Sequence, residues 1–262
     1  MGAPARIWVG RILGTLAALA GMALALVLPV PLWAGISAIV VGLGIGGAVA
    51  YRKVAAFDPL GRVRWRLAPH GRRVCALTFD DGPGPATGEV LDILATAGAK
   101  ATFFVLANNA LRHPDVLRRA AAEGHAIGVH GRTHGKLAGA DERRVEDEVT
   151  GCIDGLRVLG IPHARVYRTP HGHKSSAVFA VAKRRNLTLW AWSRGVWDTD
   201  GPPPDVLVRR ATRWARPGMV LLLHDGRGEE IDPDVRPMLA ALPRILETLK
   251  ARGFEFVALD PA

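Results

Sequence analysis

Residues 74–83 have the sequence Val74-Cys75-Ala76-Leu77-Thr78-Phe79-Asp80-Asp81-Gly82-Pro83. The apolar first half is typical of a buried strand. Two adjacent carboxylates follow where that strand ends, and the Gly-Pro pair turns the chain away. Neighbouring side chains on an extended chain point to opposite sides, so the two carboxylates can have different roles. Taken alone, the motif is typical of an ordinary strand-ending turn, and its interpretation depends on residues further along the chain.

Short apolar runs alternate with helix-like segments after residue 74. Seven strands are predicted, near 74–79, 101–106, 126–130, 165–168, 187–193, 219–224 and 254–258. Helices are predicted between them, near 87–98, 114–123, 141–159, 175–185, 205–215 and 235–252. The alternation predicts a parallel α/β fold, either an open sheet or a barrel. Cys75 and Cys152 fall in a core strand and a helix, and we expect two buried free thiols.

Chemically active side chains stand at or just past the C-terminal ends of these strands. They are Asp80, His130, Arg168 and His224, and Asp198 lies a few residues beyond a fifth strand. Active sites of β/α barrels are built at this end, from several strands. Polar residues with purely structural roles would be distributed over both ends of a sheet. We therefore predict a functional site there.

His130 and His134 are separated by three residues, so a helical turn after the strand would place both imidazoles on one face. With Asp81 they form a set of two histidines and one carboxylate, which leaves open positions for water and substrate. Two surface histidines are the usual explanation of this spacing, but the neighbouring Asp-Asp strand end favours a divalent metal site. The ligand set fits zinc, and also cobalt, nickel or manganese.

His224 ends the apolar run at 219–223. It is either a core histidine or a general acid, because imidazole titrates near neutral pH. Arg168 either pairs with a carboxylate and keeps it ionised or forms an ordinary salt bridge at the rim. Asp198 either holds a protonated His224 or caps a loop.

These motifs together resemble the polysaccharide deacetylase (NodB-homology) family. The matches are Thr-Phe-Asp-Asp-Gly-Pro at 78–83, His-x-x-x-His at 130–134, Arg-x-Pro at 168–170 and Leu-x-Leu-His at 221–224. The resemblance covers Val74 to about Leu259. It implies a distorted seven-stranded (β/α) barrel and a metal-dependent hydrolase. That enzyme would be a carbohydrate N-deacetylase, which removes an N-acyl group, acetyl or formyl, from an amino sugar.

The resemblance also implies roles for individual residues. Asp81, His130 and His134 would bind the metal. Asp80 would be the general base that deprotonates the metal-bound water, and Arg168 would orient it.

On the leaving-group side, the resemblance implies that His224 is the general acid and that Asp198 tunes it. The oxyanion would be held by the metal and by the backbone N–H of His171, which follows Pro170. Three positions depart from the family pattern: Gly131 replaces Ser or Thr, His171 replaces an aromatic residue, and only the second aspartate of Asp-x-x-Asp-Trp is kept, as Asp198. These departures alter the substrate groove and remove no catalytic atom.

Residues 12–30 and 32–50 contain no charged side chain, and prolines stand at the turn between them. As a helix, each segment would span about 28 Å, close to the hydrocarbon thickness of a bilayer. We predict a transmembrane helical hairpin, with residues 1–53 as a membrane anchor, 54–73 as a basic juxtamembrane strip and 74–262 as the catalytic domain. A signal peptide with a linker and a single long span are the alternatives.

The formal net charge is +10, and residues 1–73 contribute +8 of it. Positive charge beside apolar segments fits anionic membrane lipids, whereas a nucleic-acid-binding domain carries its basic stripe on the folded body. We therefore expect membrane lipids and no nucleic acid as partners. In residues 62–67 arginine alternates with apolar residues. This strip either faces lipid phosphates or is an edge strand with a solvated outer face.

Positive residues flank both ends of the predicted hairpin, and its turn has none. The positive-inside rule then places the catalytic domain on the cytoplasmic side of a bacterial-type inner (plasma) membrane. In that setting the substrate would be an amino sugar linked to a polyprenyl phosphate. The alternatives are an N-deacetylase of peptidoglycan or another polysaccharide outside the membrane, and a non-catalytic carbohydrate-binding membrane protein.

Overall fold

The computed structural model describes residues 39–45, 58, 60–68 and 71–259, and residues 39–45 are helical. The rest of the predicted hairpin lies outside the described residues. In the described part of the chain, no helix combines the length and the hydropathy needed to cross a membrane. The hairpin is therefore not supported by the structure and stays a prediction. From Asp58 onward the chain forms one compact unit.

Nine described strands form one sheet in this unit. They are β1 Val63–Arg64, β2 Val74–Asp80, β3 Thr102–Leu106, β4 Ala126–Gly131, β5 Val166–Tyr167, β6 Thr188–Trp190, β7 Arg194–Gly195, β8 Met219–His224 and β9 Glu255–Val257. The order across the sheet is β1-β6-β5-β4-β3-β2-β8-β7, with β9 beside the first half of β2. All pairings between these strands are parallel.

Seven described helices of more than one turn connect the strands. They are α1 Thr87–Thr96, α2 Ala107–Arg112, α3 Pro114–Ala122, α4 Glu142–Val158, α5 Ser176–Arg184, α6 Pro204–Thr212 and α7 Arg236–Ala251. The predicted start of α4 is confirmed, because the Asp141 side chain accepts a hydrogen bond from Arg144 N at 2.8 Å. α2 was not predicted, because six residues are too few to show a helical period.

The predicted seven-stranded barrel is corrected to a curled half-barrel of nine strands. The predicted strands correspond to β2–β6, β8 and β9, whereas β1 and β7 are additional two-residue strands. The strand predicted at 187–193 pairs only over 188–190, and the chain then joins β8 as β7. Residues 62–67 are an edge segment. β1 pairs with β6, and Arg66 forms an antiparallel bridge with Met219 at the start of β8. This segment therefore connects β6 to the start of β8.

The core lies against β2, whose seven residues are all buried. Such a continuous apolar run is expected for a parallel strand that is covered on both faces. One buried cluster joins side chains from five strands to the C-terminal end of the described chain; its members are Ala76, Phe104, Val166, Trp190, Val220 and Leu259. Cys75 and Cys152 are buried free thiols, as predicted.

Candidate active site

The two carboxylates of the opening motif are separated by an abrupt change of backbone direction. Asp80 is the last residue of β2, and Asp81 has a left-handed conformation with φ 72°. Aspartate tolerates this region better than most residues. Both residues are 3% exposed. Oδ2 of Asp81 accepts a hydrogen bond from the backbone N–H of Gly228 at 2.8 Å. The turn thus presents Asp81 to the loop that follows β8.

The three predicted metal ligands lie together. Nε2 of His130 and Nε2 of His134 are each 3.1 Å from Oδ1 of Asp81. Nδ1 of His130 is 2.7 Å from the carbonyl oxygen of Arg168. A carbonyl only accepts, so Nδ1 carries the hydrogen and Nε2 keeps its lone pair for a metal.

Oδ1 of Asp81 is the atom that tests whether a metal fits. It is buried and has no hydrogen-bond partner among the described residues, although two imidazole nitrogens face it. Burial opposes ionisation, but His130 and His134 outweigh it and hold the pKa of Asp81 well below its usual range. An ionised, unsatisfied carboxylate oxygen between two imidazole nitrogens suits a divalent cation. The donor atoms all lie within 4.8 Å of one another.

Arg168 is fully buried behind Asp80, so the alternative of a rim salt bridge is wrong. Its guanidinium donates to Oδ1 of Asp80 at 2.7 Å and to Oγ1 of Thr78 at 2.8 Å. It also donates to the carbonyls of Ala191 at 2.9 Å and Trp190 at 3.3 Å. One oxygen of Asp80 is therefore fixed by Arg168, which leaves Oδ2 directed toward the metal-ligand set, 3.9 Å from Nε2 of a histidine there.

His224 and Asp198 form a second charged pair across the same space. Oδ1 of Asp198 is 2.9 Å from Nδ1 of His224, and Oδ2 accepts the backbone N–H of His224 at 2.7 Å. Burial opposes the charged imidazole, but the Asp198 carboxylate outweighs it and raises the pKa of His224 to about 9. The ring is therefore protonated at neutral pH, and its Nε2 is left for the cavity.

Asp198→Asn is expected to move the alkaline limb of the pH–rate profile to lower pH. An acid with a raised pKa stays protonated below that pKa, so wild-type activity should be lost as pH rises through about 9. Without the carboxylate, the pKa of His224 falls and activity is lost earlier. Turnover from pH 6 to pH 10 is the measurement, with Asp200→Asn as a control on an exposed residue of the same turn. An unchanged alkaline limb would refute this role of Asp198.

Glu148 is a site residue that the sequence interpretation missed. Its carboxylate accepts the backbone N–H and the hydroxyl of Thr133, both at 2.8 Å, and so holds the loop between the two histidine ligands. A Cβ at Gly131 would be 2.9 Å from the Thr133 carbonyl and 3.2 Å from Oε2 of Glu148. Glycine is therefore required where the family has Ser or Thr. The sequence did contain a signal for Glu148, because this carboxylate lies on the buried face of α4 with Val145, Val149 and Cys152.

Asn109 and Asp225 were also missed. Nδ2 of Asn109 donates to the carbonyl of Asp81 at 2.7 Å. Asp225 is fully buried beneath Gly82, where a Cβ would be 2.2 Å from its Oδ2, and that oxygen accepts from Oγ1 of Thr87 at 2.6 Å. Burial raises the pKa of Asp225 to about 7. Asn109 belongs to a helix too short to predict, whereas Asp225 could have been noticed beside His224.

Asp80, the metal-ligand set and His224 line one open cavity of about 390 Å³. Six of the predicted site residues line it, namely Asp80, Asp81, His130, His134, His171 and His224. Pro170 begins the turn that carries His171, whose ring is 4.4 Å from His134. Burial, with smaller contributions from His134 and His173, lowers the pKa of His171 to about 4. The imidazole with which His171 lines the cavity is therefore neutral at neutral pH.

Comparison with known proteins agrees with this geometry. The polysaccharide deacetylase family model matches residues 68–190. A peptidoglycan-N-acetylglucosamine deacetylase of Bacillus cereus is 32% identical over 208 residues, which are 78% of this chain and 93% of the relative. The chain belongs to the polysaccharide deacetylase family. A second member, the chitooligosaccharide deacetylase of Rhizobium leguminosarum bv. trifolii, is 34% identical over 70% of this chain and 88% of its own.

Solved members of the polysaccharide deacetylase family have the same fold. The crystal structure of a peptidoglycan N-acetylglucosamine deacetylase matches with a TM-score of 0.70 at 30% identity, over 76% of this chain and 91% of that one. A family 4 carbohydrate esterase from Streptomyces lividans matches with a TM-score of 0.65 at 26% identity, over 72% and 93%. The predicted family and the predicted enzyme class, a carbohydrate N-deacetylase, are confirmed.

Proposed function

We propose that this deacetylase removes acetyl groups from N-acetylglucosamine units of an envelope glycan such as peptidoglycan, and that residues 1–53 anchor it to the plasma membrane. One observation carries the catalytic part of the proposal. The metal-ligand set, a carboxylate base and a protonated imidazole line a single cavity. The relatives named for peptidoglycan and chitooligosaccharide deacetylation support the choice of sugar.

Asp81, His130 and His134 would hold the divalent ion, for which zinc is our first choice. When bound, such an ion lowers the pKa of water and polarises the acyl carbonyl. Asp80 is placed to accept the proton of the attacking water. Its Oδ1 is held by Arg168, so Oδ2 is the oxygen that takes the proton.

His224 is placed to complete the hydrolysis. When the acyl C–N bond breaks, the leaving nitrogen takes the proton from Nε2 of His224, and acetate and a free amine result. Asp198 holds Nδ1 during this transfer and stabilises the charged ring beforehand. The N–H of His171 is available to the acyl oxygen. Trp192 and Leu222 also line the cavity and offer an apolar wall to an acetyl methyl group.

Acetate release by the full-length chain tests this function. We expect release from N-acetylglucosamine oligomers and from purified peptidoglycan, at a rate that Asp80→Asn lowers about 10²–10⁴-fold. Asp115→Asn makes the same carboxylate-to-amide change in a side chain that is 95% exposed and serves as the matched control. If a preparation with bound metal releases no acetate from either glycan, the proposed substrate is wrong.

A sugar linked to a polyprenyl phosphate, with the catalytic domain in the cytoplasm, is the second candidate. It is favoured by the positive residues on both sides of the apolar segments, which are Arg6, Arg11, Arg52 and Lys53. A reporter fused after Ala262 tests the topology. Reporter activity confined to the cytoplasm, together with acyl release from a lipid-linked acetamido or formamido sugar, would favour this candidate over a polymeric glycan.

A further inference from the structure

The two ends of the sheet carry opposite charge. Around the cavity, at the C-terminal ends of the strands, the loops at 81–86, 132–141, 168–175, 196–203 and 225–235 contain nine Asp or Glu and five Lys or Arg. At the N-terminal ends, the segments at 72–73, 97–101, 123–125, 159–165, 185–187, 213–218 and 252–254 contain eight Lys or Arg and one Glu. Two of these arginines, Arg72 and Arg185, pair with Glu255 and Glu146 just outside the segments. The end of the sheet remote from the cavity is therefore strongly basic.

Several arginines at this remote end lack an anionic partner. Within the described ranges, Arg194, Arg213 and Arg216 form no ion pair. Nε of Arg194 is buried without a hydrogen-bond partner, and Nη2 donates only to the carbonyl of Trp214, at 3.2 Å. Burial and the nearby Arg216 both lower the pKa of Arg194, so the two cations repel each other. An external anion near Arg194 and Arg216 would relieve that repulsion.

Two exposed indoles lie at the same end. Trp65 is 42% exposed and Trp214 is 58% exposed. The Arg66 guanidinium is 5.6 Å from the Trp65 ring, and that of Arg213 is 4.9 Å from the Trp214 ring. Nη2 of Arg66 also donates to the carbonyl of Pro217 at 2.8 Å, which ties the two tryptophan segments together. Indoles beside arginines are typical of protein surfaces at the membrane–water interface.

We propose that this basic face, formed by Trp65, Arg66, Arg194, Arg213, Trp214 and Arg216, docks on the anionic phospholipid headgroups of a bilayer. Lipid phosphates supply the missing anions, and the indoles suit the headgroup layer. The connectivity of the chain agrees with this occupant. The charge-free stretches at 12–30 and 32–50 precede Asp58 closely in sequence, and the chain enters the compact unit through β1, which leads directly into the basic face.

Docking through this face sets the direction in which the cavity opens. Asp80 and Val74 are the two ends of β2, whose seven residues span about 20 Å. The cavity lies at the Asp80 end and the basic face at the other, so the cavity opens away from the bilayer. This consequence rests on the proposed function. It favours a polymeric glycan over a sugar held at the membrane surface, whereas the docking itself depends only on the face.

Hydrogen exchange of the full-length chain in lipid nanodiscs tests the docking, because both leaflets of a disc have the same composition. We expect amides in 62–68 and 213–218 to exchange about tenfold more slowly in discs containing phosphatidylglycerol than in phosphatidylcholine discs. High salt should remove the difference, since surface electrostatics are screened. Amides in 225–235, beside the cavity, should exchange equally in both.

Charge reversal identifies the residues responsible. Arg213→Glu with Arg216→Glu should abolish the lipid-dependent protection, whereas Arg118→Glu with Arg236→Glu reverses two exposed arginines elsewhere and should retain it. Acetate release from soluble N-acetylglucosamine oligomers should be unchanged in both variants, which separates failure of docking from failure of the proposed function. Equal protection in both lipids, or protection by a DNA oligonucleotide and not by lipid, would overturn the proposal.

Discussion

Asp81→Asn is expected to remove the bound metal and to lower N-deacetylase turnover by at least about 10³-fold, because a bound metal contributes several kcal/mol to such a transition state. Oδ1 of Asp81 is the atom that both His130 and His134 face at 3.1 Å. Asparagine keeps the left-handed backbone and the shape of the side chain, so the loss isolates the negative charge. Metal content per chain and turnover are both measured on the full-length protein.

The control for Asp81→Asn is an exposed carboxylate that lies outside the cavity. Asp115→Asn makes the same chemical change at a side chain that is 95% exposed and should leave metal content and turnover unchanged. If Asp81→Asn keeps one metal ion per chain and turns over at a rate within tenfold of the wild type, the assignment of this metal site is wrong.

Among the single substitutions proposed for the active site, Arg168→Met is expected to lower the free energy of unfolding most. Its guanidinium is 1% exposed, and its removal leaves the buried Asp80 carboxylate without its cation. Breaking a buried ion pair from one side costs about 3–5 kcal/mol. In a domain of this size, that loss lowers the thermal midpoint by about 6–20 °C. Turnover should fall as well, because Oδ2 of Asp80 loses its fixed direction.

A double variant separates this cause from the loss of packing. Arg168→Met with Asp80→Asn removes the uncompensated charge and should be more stable than Arg168→Met alone, while it stays inactive. Thermal unfolding of the metal-free proteins measures the difference. A double variant no more stable than the single one would show that packing of Arg168 on Phe104, whose ring centre is 4.2 Å away, accounts for the loss.

Local patterns predicted the site better than they predicted the sheet. Asp80 and His224 end their strands, and His130 is the last residue but one of β4. Strands of a parallel sheet bring their C-terminal ends to one edge, so the meeting of these residues followed from the pattern. β1 and β7 have two residues each, and strands that short show no periodic pattern of apolar residues in the sequence. Their positions depend on the curl of the sheet, which is set by contacts between residues distant in sequence.

The supporting residues were harder to predict for the same reason. Glu148 acts on a loop that precedes it by fifteen positions, and Asn109 reaches the backbone of Asp81. Neither belongs to a sequence motif, because each acts through a contact with a segment that is distant in sequence. The basic strip at 62–67 was noticed in the sequence, but its continuation through Arg213 and Arg216 appears only once Arg66, beyond the end of β1, bridges to Met219 at the start of β8.

The central claim is that a metal held by Asp81, His130 and His134 works with Asp80 to release acetate, and one measurement tests it most directly. Bound metal and released acetate are counted in the same samples of full-length protein: after chelation, after addition of zinc, and in Asp80→Asn. We predict no acetate after chelation and recovery with about one zinc ion per chain. In Asp80→Asn we predict normal metal binding with turnover about 10²–10⁴-fold lower. Acetate release that continues without metal, or that is undiminished in Asp80→Asn, would contradict this account.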